Sequence, residues 1–272
     1  MTVEHSGGGD PDRSLRLLWR DRHAEPEPAR GRKPRLSLEV IVAAAIRIAD
    51  ADGLPAASMH RVAKELGAGT MTLYSYVPAK DELLDLMVDA VLCEYALPGP
   101  GEPRPPCWRE QVELYSERTR QTYRRHPWLR QVSMTRPALG PGMMRRQEYL
   151  LSALAGIGLT HRQMAAAANS IATFVNSNAA VEADTAHLER VTGQSTDTWW
   201  HQRQSFWENY FDTEANPTIV EVWENEGFEL GAREAAAEAY DFGLHRLLDG
   251  IEALVGRGKP GEGLPRAADQ VP

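Results

Sequence analysis

The chain has 272 residues, 42% hydrophobic and 25% charged, enough apolar material for one large domain or two ordinary ones with a sizeable core. No apolar run is long enough to span a bilayer and the N-terminus lacks the apolar stretch of a secretion signal, so a cytoplasmic protein with no membrane partner is expected. Two cysteines, Cys93 and Cys107, make neither a disulfide framework nor a metal knuckle, and the formal net charge of -8, taken alone, argues against nucleic acid.

The distribution of charge reverses that last point. Between Arg30 and Lys80 stand eight Lys or Arg against four acids (Glu39, Asp50, Asp52 and Glu65), so a basic module sits on an acidic body. Phosphate binding responds to the local field and not to the total. Residues 1–36 carry Gly7, Gly8, Gly9, Pro26 and Pro28 and read as a flexible arm, with an apolar patch from Leu15 to Trp19 able to form a helical turn. Its basic cluster, Arg30, Arg32, Lys33 and Arg35, directly precedes the module and is suited to phosphates or a minor groove.

Ser37 is placed to cap a helix whose apolar face is Ile41, Ala44, Ala45 and Ile48, with Gly53 as its C-terminal stop. Ser58 caps a second helix with Met59, Val62, Ala63 and Leu66 facing inward. Gly67 permits a tight turn. A third helix is predicted from about Gly69 to Val77, with Leu73 and Val77 inward and Thr72, Ser75 and Tyr76 on the opposite face. Pro78 ends it, and Lys80 opens a fourth helix with Leu83, Leu84, Met87, Val88 and Val91 on its apolar side. Two short helices about a glycine turn, the second rich in hydroxyls, are the pattern of a helix-turn-helix reader.

The stretch GLPAASMHRVAKELGAGTMTLYSYVPAKDELLDLM, Gly53 to Met87, resembles the DNA-binding domain of the TetR/AcrR family of transcriptional regulators. The resemblance runs over residues 37 to about 95. It implies that the third helix enters the major groove and that Thr70, Met71, Thr72, Ser75 and Tyr76 face bases or nearby phosphates. Tyr74, Tyr76 and Lys80 would grip the backbone, with Ser58 and Arg61 assisting. The third helix has no Arg or Asn for bidentate base readout, so discrimination falls in part to His60, Arg61, the basic arm and DNA shape.

LPGPGEPRPP, residues 97–106, is the clearest linker in the chain. The expected organisation is an all-α protein: a basic arm over 1–36, a helix-turn-helix domain over 37–96, a helical ligand-binding and dimerisation domain over 107–256, and a disordered tail over 257–272. In the body, one helix is expected through Trp108, Val112, Tyr115, Thr119 and Tyr123, stopped by Pro127, and others near 143–157, 160–187 and 233–255, with a polar loop from His187 to Asp197 and an aromatic segment opened by Trp199 and Trp200. The closing FGLHRLLDGIEAL is similar to the end of tetracycline-repressor-like C-terminal domains. That implies a homodimer through a bundle of the 160–187 and 233–255 helices, with alanines and Gly243 allowing close approach.

Trp108, Tyr115, Tyr123, Met143, Phe174, Asn178 and Trp200 are the residues expected to line an effector pocket, for a flat, largely apolar small molecule. The expected function is a repressor released from its operator by such an effector. An activator and a ligand-independent DNA-binding dimer are the alternatives. No HExxH, GxSxG, Walker loop or dinucleotide fingerprint is present, so neither catalysis nor a cofactor or metal is expected.

Overall fold

The structure is a computed structural model that describes residues 4–20 and 36–257. The basic cluster Arg30, Arg32, Lys33 and Arg35 lies outside the described residues, as does the tail beyond Arg257. The architecture is all-α, with one short strand pair.

The reading module is built as its sequence dictates. Helix α2 (Leu38–Asp52) starts on Ser37, whose hydroxyl accepts the Val40 N–H, and stops at Gly53, φ +86°. Its ψ of 160° takes the chain out of the helix without entering the left-handed helical basin. A 3-10 turn over Leu54–Ala56 leads to α3 (Met59–Glu65), capped by Ser58 through the Arg61 N–H. Gly67, at φ +62°, makes the turn into α4 (Thr70–Tyr76). Ile41, Ala44, Ala45, Val62, Leu73 and Val77 are fully buried among these helices, small residues on α2 letting α3 and α4 come close.

Helix α5 (Lys80–Cys93) is buried on nearly every side. Leu83, Leu84, Leu86, Met87, Val88, Val91 and Leu92 are in the core, but so are the acids Glu82, Asp85 and Asp89. What covers Glu82 and Asp85 corrects the expected flexible arm: residues 4–20 are folded onto them. Strand β1 (Glu4–His5) pairs in parallel with β2 (Val132–Ser133) of the body, and helix α1 (Pro11–Leu18) lies along α5. The Gly7 N–H donates to Asp85 Oδ1 at 2.7 Å, the Asp10 N–H to Glu82 Oε1 at 3.2 Å and the Trp19 indole to the Leu139 carbonyl at 2.7 Å. Gly7 has φ +70°, and a Cβ there would stand 2.6 Å from the Arg136 carbonyl oxygen. The glycine run therefore serves close approach and not looseness.

The body begins with the 97–106 segment, which Arg104 pins by bonds to Ser152 and to the Pro98 and Gly99 carbonyls. Helices α6 (Trp108–Arg125) and α7 (Pro141–Ala153) follow, joined through a 3-10 turn over Pro127–Gln131 and β2. Helix α8 runs from His161 to Thr192. The polar loop expected from His187 is helical for most of its length, because its residues keep the helix until Gly193 stops it at φ +66°. Short helices α9 (Thr196–His201), α10 (Gln204–Asn209) and α11 (Pro217–Glu224) carry the aromatic segment, and α12 (Ala232–Arg257) closes the chain. Gly243 of α12 lies so close to Phe174 of α8 that a Cβ would meet the ring at 2.7 Å, which lets Phe174 stack on Tyr240.

The linker breaks the chain but not the packing. One core joins α1–α5 to Tyr123, Trp128, Leu129, Ala179 and Ala183 of the body, and a second lies between α6, α7, α8 and α12. Because Leu18 is buried in the first core at 6% exposure, Leu18→Ala should cost about 2–4 kcal/mol in urea unfolding. An unchanged midpoint would show that α1 is not docked on α5.

Candidate nucleic-acid interface and buried polar cluster

The third-helix prediction placed two kinds of residue on opposite faces, and α4 separates them. Leu73 and Val77 are fully buried, whereas Met71 is 80% exposed and Thr72, Tyr74, Ser75 and Tyr76 all face solvent. Ser58, His60 and Arg61 on α3 are exposed beside them, and Thr70 is half-buried. Not all of these groups are idle. The Ser75 hydroxyl donates to the Thr72 carbonyl at 2.6 Å, a bond within its own helix. Arg61 pairs with Asp52 at 3.3 Å, and Lys80 with Glu4 at 2.6 Å. Both pairs are partly exposed, so each can exchange its carboxylate for a phosphate at small cost. Met71, Thr72 and Tyr76 are exposed on α4, and their side chains make no hydrogen bond or ion pair among the described residues.

Of the seven residues predicted for a pocket, Trp108, Tyr115 and Phe174 pack in the second core, and Trp200 lies apart from them. Tyr115 and Tyr123 are buried together on α6. Trp108 sits under the Arg109 guanidinium at the start of that helix. Met143 packs against the first core, Phe174 against Tyr240, and Asn178 donates to the Phe174 carbonyl. Trp200 is elsewhere, half exposed on α9 against Trp199 and Trp207.

What Tyr115 and Tyr123 surround is a residue the sequence did not single out. Arg146 of α7 is 5% exposed. Its guanidinium lies 5.1 Å from the Tyr95 ring centroid and 5.0 Å from that of Tyr115, and it donates to Asn176 Oδ1 at 2.8 Å. Burial pushes the Tyr115 phenol up to about 12, against the opposing pull of Arg146, and it also pushes Tyr123 up. Both are therefore neutral at physiological pH and neutralise nothing. No Asp or Glu pairs with Arg146 among the described residues. In the sequence Arg146 stands in MRRQE and reads as part of a solvated helix face. Only its spacing of three from Met143 and Tyr149 places it inward.

The reader and this cluster share a joint. The N-terminus of α7 is capped from α5: Asp89 Oδ1 accepts the Gly142 and Met143 N–H groups at 2.8 and 3.2 Å. Arg145 reaches Cys93 Sγ at 3.2 Å, and Tyr95 follows directly after α5. A second link binds α2 to the body. His126 Nδ1 faces Asp50 Oδ1 at 2.8 Å and its Nε2 faces Glu94 at 3.1 Å, while Trp128 donates to the same Asp50 oxygen.

Two family models match this chain. One, described as the bacterial regulatory proteins of the tetR family, covers residues 41–87, and the other, the tetracyclin repressor-like C-terminal domain, covers residues 102–255. The chain belongs to the TetR family of transcriptional regulators. It is 38% identical over 97% of its length, and 93% of the relative's, to the HTH-type transcriptional repressor DrrR1 of Streptomyces coeruleorubidus. It is 32% identical over 62% of its length to an HTH-type transcriptional regulator of Saccharopolyspora erythraea, covering 71% of that protein. Among solved structures it is similar to the TetR family protein ActR of Streptomyces coelicolor in complex with actinorhodin, at 28% identity and a TM-score of 0.67, over 82% of this chain and 99% of ActR. In TetR terms, α3–α4 are the helix-turn-helix and α5 is the helix between reader and body.

The His126 link titrates. With a carboxylate on each ring nitrogen, both nitrogens must donate, which only the imidazolium can do. Burial pulls its pKa down, but the bonds to Asp50 and Glu94 outweigh that and hold it above the ordinary 6.5. The stabilisation is thus fully present below 6.5 and lost as pH rises through the higher folded value. The melting temperature of the protein relative to His126→Gln should be most favourable near pH 6 and shrink steadily toward about pH 9. A difference independent of pH would mean that His126 is not charged in the fold.

Proposed function

We propose that this TetR regulator is a homodimeric cytoplasmic repressor that leaves its operator when a small molecule binds in the body near Arg146. The observation that carries the reading is the joint at Asp89. Helix α7, which bears Arg146, and helix α5, which starts three residues after the recognition helix α4, share one carboxylate as their link. A ligand that displaces α7 therefore displaces α5. In a dimer the two α4 helices must sit about one DNA turn apart. A ligand that favours another spacing lowers DNA affinity by its preference for that state. That ActR has been crystallised with actinorhodin supports a small-molecule trigger for a body of this kind.

For the dimer, α8 and α12 offer the surface. Leu188, Val191, Phe242 and Leu254 are 50–67% exposed along them. An open groove of about 340 Å³ between the two helices, lined by Leu159, Ala166, Ala167, Leu247, Ile251 and Leu254, would take side chains of a second copy.

The test of the reading face is gel-shift titration on DNA from upstream of the protein's own gene. Thr72→Ala with Tyr76→Ala should weaken binding by about tenfold or more, while gel filtration shows the same dimer. Unchanged affinity in the double variant would remove α4 as the reader.

A further inference from the structure

Resting on that reading, we propose that the effector is an acid: a molecule with an anionic oxygen, a carboxylate or an ionised phenol, on an apolar frame, and that Arg146 is its anchor. Four observations converge. The guanidinium is almost fully buried. It has a neutral amide and neutral phenols around it but no carboxylate among the described residues. Its Nε–H has no acceptor, and the hydroxyl of Tyr95, whose ring lies against the same guanidinium, has no partner either. Two unsatisfied donors beside an uncompensated positive charge specify an acceptor with negative charge.

The contrast within the same body is direct. Arg130 is as deeply buried, and Asp184 pairs with it at 2.6 Å. A permanently charged group buried without a counter-ion costs the fold stability. An incoming carboxylate would supply the missing charge and accept the Nε–H and the Tyr95 O–H in charge-assisted bonds. The rings of Tyr95, Tyr115 and Tyr123 would hold the apolar frame. A neutral carboxamide can accept from the same donors but leaves the buried charge uncompensated, so the site discriminates by charge.

Isothermal titration with matched pairs tests this: benzoate and benzamide, naphthalene-2-carboxylate and its carboxamide, anthraquinone-2-carboxylate and its carboxamide. The full-length protein should bind at least one acid about 10- to 100-fold more tightly than its amide. In Arg146→Met that ratio should fall to near one, with operator binding retained as the sign of a folded dimer. Should Arg146→Met not fold, Tyr95→Phe serves, since it removes one donor and keeps the ring: acid affinity should drop several-fold and the acid-to-amide ratio should fall with it. Equal affinities within every pair, no acid bound, or a ratio that survives these variants overturns the proposal. Gel shifts with the same compounds separate it from the reading beneath it. Release of operator by amides alone would leave a ligand-released repressor without an acid site. Failure to bind operator at all would remove the repressor itself.

Discussion

The structure depends on one carboxylate. Asp89 belongs to α5, yet it caps α7, and it does so where α7 cannot cap itself. Pro141 at the first helical position has no N–H to offer, Gly140 before it has no side chain, and the next two N–H groups both turn to Asp89. The negative charge also suits the positive end of the α7 dipole. Burial raises the Asp89 pKa, and the Met143 and Gly142 N–H groups resist that rise without overcoming it. The close packing admits little else: a Cβ on Gly142 would stand 2.5 Å from the Asp89 carbonyl oxygen and 2.9 Å from the Cys93 nitrogen. Here the two helices meet backbone to backbone, so neither can slide without the other.

From that joint the rest of the molecule follows in two directions. Toward the DNA, α5 carries the reader, and the folded N-terminal segment braces its acid face through Gly7, Asp10 and Ser14. The same segment ends a chain of contacts at Glu4, which holds Lys80 at the first turn of α5. Lys80 is thus tied to the body through β1 and β2. Into the body, α7 leads within about one turn to Arg146. His126 adds a second, charge-dependent tie between α2 and the body, so the reader is held at two separated points and cannot pivot freely about α5 alone.

Much of this was legible in the sequence where local chemistry decides structure. Ser37, Ser58, Gly53 and Gly67 act through their own backbone neighbours, and the exposed and buried faces of α4 follow from a period of 3.6. The misreadings arose where a distant partner decides. Gly7 to Gly9 read as slack because nothing nearby says that Arg136 and Glu82 crowd them. Nothing in the sequence marks Glu82, Asp85 and Asp89 as buried, because their burial by α1 and by the α7 N-terminus is a tertiary fact. The stretch after His187 read as a loop because it is polar, but a helix on the outside of a body need not be apolar. For the pocket, counting aromatics gathered Trp200 with Trp108, Tyr115 and Phe174, and only three-dimensional packing sets Trp200 apart on α9.

Arg146 is the sharpest case, because the fold had a simpler solution. An apolar residue of similar length at that position would fill the space between the tyrosines without desolvating a charge, and such exchanges are often stabilising. A glutamate in place of Asn176 would have neutralised the guanidinium from within. Instead Asn176 offers a neutral oxygen at 2.8 Å, and its own amide nitrogen is bound to the Ala172 carbonyl. The amide is therefore locked with its oxygen toward Arg146, which orients the fork while leaving the charge unspent. An arrangement that fixes direction but withholds compensation makes sense where the compensation arrives from outside. It also places the arriving charge on the helix whose first turn is fastened to α5.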